Sequence, residues 1–144
     1  MSRPAATVPA VASPRAMRVR AVVGALACLG LGLGLQLLDR SSVVDLLGSV
    51  LYVMLVGLLA LLMRPSLRAV TVAAIALAFA TLVELLQLTA IHAAVVEAVP
   101  MAGLVLGNAF DPMDLLAYLV GAVVLVPIVA VIRRPGNAAG ARDA

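Results

Sequence analysis

Residues 114–132 read DLLAYLVGAVVLVPIVAVI, and no charged residue follows Asp114 until Arg133. A helix needs about 20 mostly apolar residues to cross a bilayer, so this run predicts a transmembrane helix. Three runs of the same kind precede it: Ala21–Leu38, Val43–Met63 and Ala69–Thr89. The first is the shortest and the richest in glycine, with LGLGLGLQLL from Leu29.

The whole chain shares this character. Of its 144 residues 65% are hydrophobic, 12% charged and 3% aromatic, and the mean hydropathy is +1.20. An average soluble domain is about 45–50% apolar and about 25% charged. A soluble globular fold of this length could not cover so much apolar surface and is excluded. The expected fold class is an all-α integral membrane protein, four transmembrane helices in a compact bundle. Residues 1–17, rich in Ala, Pro and Val with scattered Arg, read as a disordered tail. Residues 18–134 form the membrane domain, and 135–144 form a second tail. No A-x-A-like cleavage site follows the first run, so it reads as an uncleaved anchor rather than a signal peptide.

The formal net charge is +3, and every basic residue is Arg. The arginines flank the apolar runs without the aromatic interleaving of single-stranded nucleic-acid binders. The expected partner is therefore the lipid bilayer, with no nucleic acid. Arg3, Arg15, Arg18 and Arg20 precede the first run, Arg64 and Arg68 lie between the second and third, and Arg133, Arg134 and Arg142 follow the fourth. Only Arg40 falls on the other side. The positive-inside rule predicts a multi-pass protein of the cell membrane with both termini cytoplasmic. Cys28, the single cysteine, supports neither an intrachain disulfide nor a zinc site, and no metal or cofactor is expected.

This topology brings the polar residues to one depth, in the outer leaflet. Asp45 opens the second run; Glu84 and Gln87 end the third; Asp111 and Asp114 open the fourth; His92, Glu97 and Asn108 lie between. Asp45, Ser49 and Tyr52 are spaced i, i+4, i+7. Thr81, Glu84 and Gln87 follow i, i+3, i+6, and Asp111, Asp114, Tyr118 and Gly121 follow i, i+3, i+7, i+10. Residues three and four apart share a helix face, and lipid-facing carboxylates are costly. The stripes therefore predict an outward-opening polar pocket of Asp45, Ser49, Glu84, Gln87, Asp111, Asp114 and Tyr118.

Each residue also has a plainer reading. Asp111 before Pro112 is a standard helix start, and Asp114 suits the acidic partner of a capping box. Asp45 suits a solvated acid favoured by the helix dipole. Glu84 lies near a helix C-terminus, where the dipole disfavours an anion. It reads either as functional or as a protonated glue residue hydrogen-bonded to Gln87 or Tyr118. His92 reads as a solvated loop histidine. Gly30 and Gly34 form a GxxxG pair, which favours close packing against the second or fourth span over a homo-oligomer interface through span one. Pro127 predicts a local kink. Met101–Ala109 is too short to span and reads as an interfacial or re-entrant segment, or as a surface loop.

VELLQL (Val83–Leu88), LGNAFDPMDLLAYLVG (Leu106–Gly121) and GSVLY (Gly48–Tyr52) together resemble the bacterial family called domain of unknown function 2809. That family is distantly similar to the VanZ-like proteins associated with teicoplanin resistance. The resemblance covers roughly Val43–Ile132. It implies a small polytopic membrane protein with no settled activity, and its motif residues fall on Glu84, Gln87, Gly107, Phe110, Asp111, Asp114, Tyr118 and Gly121. The family usually has an acid where Ser49 stands, and an outer-loop arginine where this chain has Glu97. A counter-ion role for that arginine is missing here or passes to Arg40.

These readings favour a non-catalytic envelope protein whose pocket binds a small polar group or lipid headgroup. The alternatives are a carboxylate-dependent small-solute or proton transporter and a membrane-embedded enzyme acting on an envelope lipid. The cytoplasmic half offers no acid to continue a proton path, and the four runs show no inverted repeat. No Ser–His or Cys–His pair is apparent for nucleophilic catalysis.

Overall fold

The computed structural model describes residues 11–39, 41–99, 101 and 110–135. Arg40, Gly107, Asn108 and all of the expected re-entrant segment except Met101 lie outside them. Four helices are long and apolar enough to cross a membrane: α1 (Pro14–Leu35), α2 (Ser42–Met63), α3 (Ala69–Leu86) and α5 (Pro112–Ile132). A short helix, α4 (Ala90–Ala98), lies between the last two.

Local chemistry explains where the helices begin. Ser41 caps α2 by accepting the Val44 N–H at 3.3 Å. Asp111 caps α5 by accepting the Met113 N–H at 2.9 Å, with Pro112 at the first helical position. A Ser–Pro step does the same for α1, where Ser13 Oγ accepts the Ala16 N–H at 3.2 Å. This corrects the tail boundary. Pro14–Met17, expected in the N-terminal tail, are the first turn of α1, and Met17 is buried. The third span also ends earlier than Thr89. Its helix stops at Leu86, and the Thr89 hydroxyl donates to the Leu86 carbonyl at 2.6 Å as the chain turns into α4.

The spanning helices run alternately, so α2 and α5 point the same way. The central helix α2 packs against α1, α3 and α5; α3 packs against α5, and α1 rests mainly on α2. Val53, Leu58, Leu61, Val72, Ala76, Ala80, Leu125 and Val129 form the buried centre. The outward faces are apolar as well, with Val43, Leu47, Phe79, Leu82, Val123 and Val131 exposed, as lipid contact requires.

Without a hydrophobic drive between helices in lipid, close approach and polar contacts hold such a bundle together. The closest approach lies between α2 and α5. A methyl added at Gly121 would sit 2.9 Å from the Val50 carbonyl oxygen, and one at Gly57 would collide with Leu125. The glycines of α1 divide: a methyl added at Gly24 would sit 3.1 Å from the Leu58 side chain of α2. Nothing lies within 4 Å of where a side chain would start at Gly30, Gly32 or Gly34. Gly30 and Gly34 therefore do not serve the close intramolecular packing that their spacing favoured. The α1–α2 contact instead runs through Met17, Ala21, Ala25 and Cys28, the buried residues of α1.

At the arginine-rich end, guanidinium groups join helix termini. Arg20 of α1 donates to the carbonyls of Ile132 (2.9 Å) and Arg134 (2.7 Å) at the end of α5. Arg133 donates to the Pro65 carbonyl at 3.2 Å and to that of Leu67, in the turn between α2 and α3. The last carbonyls of a helix have no intrahelical partner, and the dipole favours cations there.

Candidate functional site

The opposite end of the bundle holds the N-termini of α2 and α5 and the C-terminus of α3. Two helix N-termini side by side favour negative charge. Asp45 lies in the first turn of α2 and Asp114 in the first turn of α5, with Asp111 as its cap.

Glu84 occupies the last turn of α3 and has no solvent exposure. One carboxylate oxygen accepts the Asp111 N–H at 2.7 Å, and the other accepts the Tyr118 hydroxyl at 2.9 Å. Each oxygen thus has one partner at the start of α5 or on it. Its own helix end disfavours an anion, but the N-terminus of α5, onto which it bonds, favours one. A capping box would have given the Asp111 N–H to Asp114. Glu84 takes that donor from another helix, 27 positions away.

Asp114 is thereby released from the capping box. Its Oδ1 accepts the Ser49 hydroxyl of α2 at 2.7 Å, a bond that the near contact of α2 with Gly121 permits. One turn deeper, the rings of Tyr52 and Tyr118 lie 6.3 Å apart at an angle of 47°. The Tyr52 hydroxyl is buried and has no hydrogen-bond partner among the described residues. Helical side chains lean toward the N-terminus of their helix, so both tyrosines lean toward the acidic end.

A cleft of about 220 Å³ opens between the first turns of α2 and α5, lined by Ser42, Asp45, Leu46, Asp111, Met113 and Asp114. The Asp45 carboxylate makes no hydrogen bond or ion pair with any described residue. The seven residues expected in one pocket thus fall into layers. Asp45, Asp111 and Asp114 border the cleft, and Ser49 braces Asp114 from below. Glu84 and Tyr118 form a separate buried clamp. Gln87 caps the end of α3 and is not part of the cleft wall. Ser42, Leu46 and Met113 were not anticipated; they are ordinary first-turn neighbours of the acids, and only their helical spacing marks them. Among the described residues, no three His, Cys, Asp or Glu side chains converge as metal ligands would. His92 is buried on α4 rather than solvated, while Glu97 on the same helix is exposed.

The cleft is open and rich in acceptors. Such a surface matches a ligand that brings cationic or hydroxyl donors, and it repels a bare phosphate.

The described geometry coincides with a known sequence family. A family model described as "Protein of unknown function (DUF2809)" matches residues 38–122, more than half of the chain. The match includes α2, α3, α4 and the first half of α5, and with them every residue of the clamp and the cleft. No curated protein and no solved structure matches the chain. This four-helix membrane protein belongs to the DUF2809 family.

Proposed function

We propose that this protein is a non-catalytic component of the bacterial cell envelope whose acidic cleft binds a small polar group or a lipid headgroup. The observation that carries this reading is the separation of roles among the acids. Glu84 clamps α3 to α5, which leaves Asp114 with Asp45 and Asp111 at the wall of an open cleft. Asp111 also caps α5 and Asp114 also holds Ser49, but the Asp45 carboxylate has no partner among the described residues, and an ionisable residue in a membrane-spanning segment is a functional candidate by default. The arginine distribution supports an orientation with both termini cytoplasmic and the cleft facing outward. The acceptor-rich lining favours a cationic or polyhydroxylated group.

Transport through the bundle finds less support. The polar ladder ends at Tyr52 and Tyr118, and beneath it the buried centre is made of Val53, Leu58, Leu61, Val72, Leu125 and Val129.

Thermal unfolding of the purified protein, titrated with spermidine, inositol or inorganic phosphate, tests the reading. Spermidine or inositol stabilises the wild type, phosphate does not, and the Asp45→Asn/Asp114→Asn double variant loses the response. Equal stabilisation by phosphate, no response to either donor-bearing probe, or an unchanged response in the double variant would refute it.

A further inference from the structure

A second concavity lies between α1 and α2, in the half of the bundle nearer the arginines. It measures about 290 Å³ and is lined by Val22, Ala25, Leu26, Leu29, Leu55, Leu59 and Leu62, without any polar surface. Because it opens on the apolar outer face of the bundle, it meets lipid chains rather than water.

On α1 the lining follows i, i+3, i+4, i+7 from Val22. The same stripe continues toward the helix start through Arg18 and Arg15, four and seven positions earlier. Residues at these spacings share a helix face. Both arginines are exposed, and neither makes a hydrogen bond with any described residue. Arg64, also exposed, stands two residues beyond Leu62 at the end of α2. Arg20 lies on the opposite side of α1 and is occupied by the carbonyls that end α5. The acids among the described residues, Asp39, Asp45, Glu84, Glu97, Asp111 and Asp114, all lie at or near the other end of the bundle, so no described acid at this end neutralises the arginines.

We propose that this groove is a binding site for one anionic phospholipid. An acyl chain lies along Val22–Leu29 of α1 and Leu55–Leu62 of α2, and the phosphate meets Arg15 and Arg18. The occupant follows from charge complementarity at the mouth and the wholly apolar lining below it. A helix rises about 1.5 Å per residue, so the lined stretch of α1 begins about 6 Å beyond Arg18 and runs about 10 Å further toward the bilayer centre. Basic side chains at the membrane surface attract anionic headgroups, and here two of them stand in line with a groove for the chain. The site is distinct from the acidic cleft and does not depend on a ligand there.

Native mass spectrometry of the full chain, equilibrated in detergent with equal amounts of phosphatidylglycerol and phosphatidylcholine, tests the site. The wild type retains phosphatidylglycerol at least fivefold over phosphatidylcholine. Arg15→Gln/Arg18→Gln abolishes that preference, and Val22→Phe, which fills the groove, lowers the occupancy of both lipids. Arg134→Gln, at an exposed arginine just beyond the end of α5 and away from the groove, leaves the preference unchanged. Equal retention of the two lipids by the wild type, or a preference that survives the double variant, overturns the site. So does a loss in Arg134→Gln as large as that in the double variant, because the effect would then belong to the basic surface as a whole.

Discussion

The two ends of this bundle solve the same problem with opposite charges. At the arginine-rich end, Arg20 and Arg133 cap carbonyls on neighbouring elements. At the acidic end, Glu84 accepts the N–H of Asp111, the cap residue of α5. Arg20 and Glu84 each carry the sign that the facing helix terminus favours, while Arg133 braces the turn between α2 and α3. The ends differ in depth. Arg20 and Arg133 are only partly buried, whereas Glu84 is wholly enclosed. A half-exposed cap can be replaced by water, and a buried one cannot. The acidic end should therefore be the more fragile, and its acids should divide sharply into those that hold the bundle and those that do not.

The largest effect is expected from Glu84→Ala. It strands the buried Tyr118 hydroxyl and the part-buried Asp111 N–H; a buried unsatisfied group costs about 1–3 kcal/mol, and the excised side chain leaves a void that adds to the loss. A total loss of about 2–5 kcal/mol should appear in thermal unfolding in detergent. A loss no larger than that of Arg20→Gln would break the comparison.

Gly121→Ala should follow, at about 1–3 kcal/mol, the usual range for overpacking. The obstacle is the backbone carbonyl of Val50, which cannot rotate aside, and any separation of α2 from α5 also lengthens the Ser49–Asp114 bond. Gly30→Ala and Gly34→Ala, which meet open space, should be neutral to the monomer. The same unfolding series tests all three.

Arg20→Gln and Arg133→Gln should each cost about 1 kcal/mol, since water can satisfy the carbonyls they leave. Raising salt sharpens the contrast: it screens exposed charges far more than enclosed ones. Increasing ionic strength should therefore narrow the gap between wild type and the arginine variants while leaving the Glu84→Ala deficit intact.

Much of this fold is legible in the sequence because membranes demand long apolar helices. The four runs and the Asp111–Pro112 start follow directly from length and capping chemistry. Ser13–Pro14 carries the same start signal, but the Ala- and Pro-rich composition around it obscured the first turn of α1. The short helix α4 has no side-chain cap bond and no strong periodicity, so nothing local announces it. The stripes placed the right acids at one end of the bundle. Their division into clamp and cleft was not legible, because the partner of the Asp111 N–H lies on another helix across an intervening segment. The glycines teach the same lesson. Gly30 and Gly34 carry the recognised spacing, yet the close contact is made by Gly57 and Gly121, and only tertiary structure decides which helix face meets another.

The separation of roles is tested most directly by comparing the unfolding of Glu84→Leu with that of Asp114→Leu. Glu84→Leu removes both oxygens of the clamp and leaves the buried Tyr118 hydroxyl and the part-buried Asp111 N–H without their partner, so stability should fall by about 2–4 kcal/mol. In Asp114→Leu the Ser49 hydroxyl keeps the Asp45 carbonyl as acceptor and water reaches the cleft, so the loss should stay under about 1 kcal/mol. If Asp114→Leu were destabilised as much as Glu84→Leu, or Glu84→Leu were as stable as wild type, the division between clamp and cleft would be wrong.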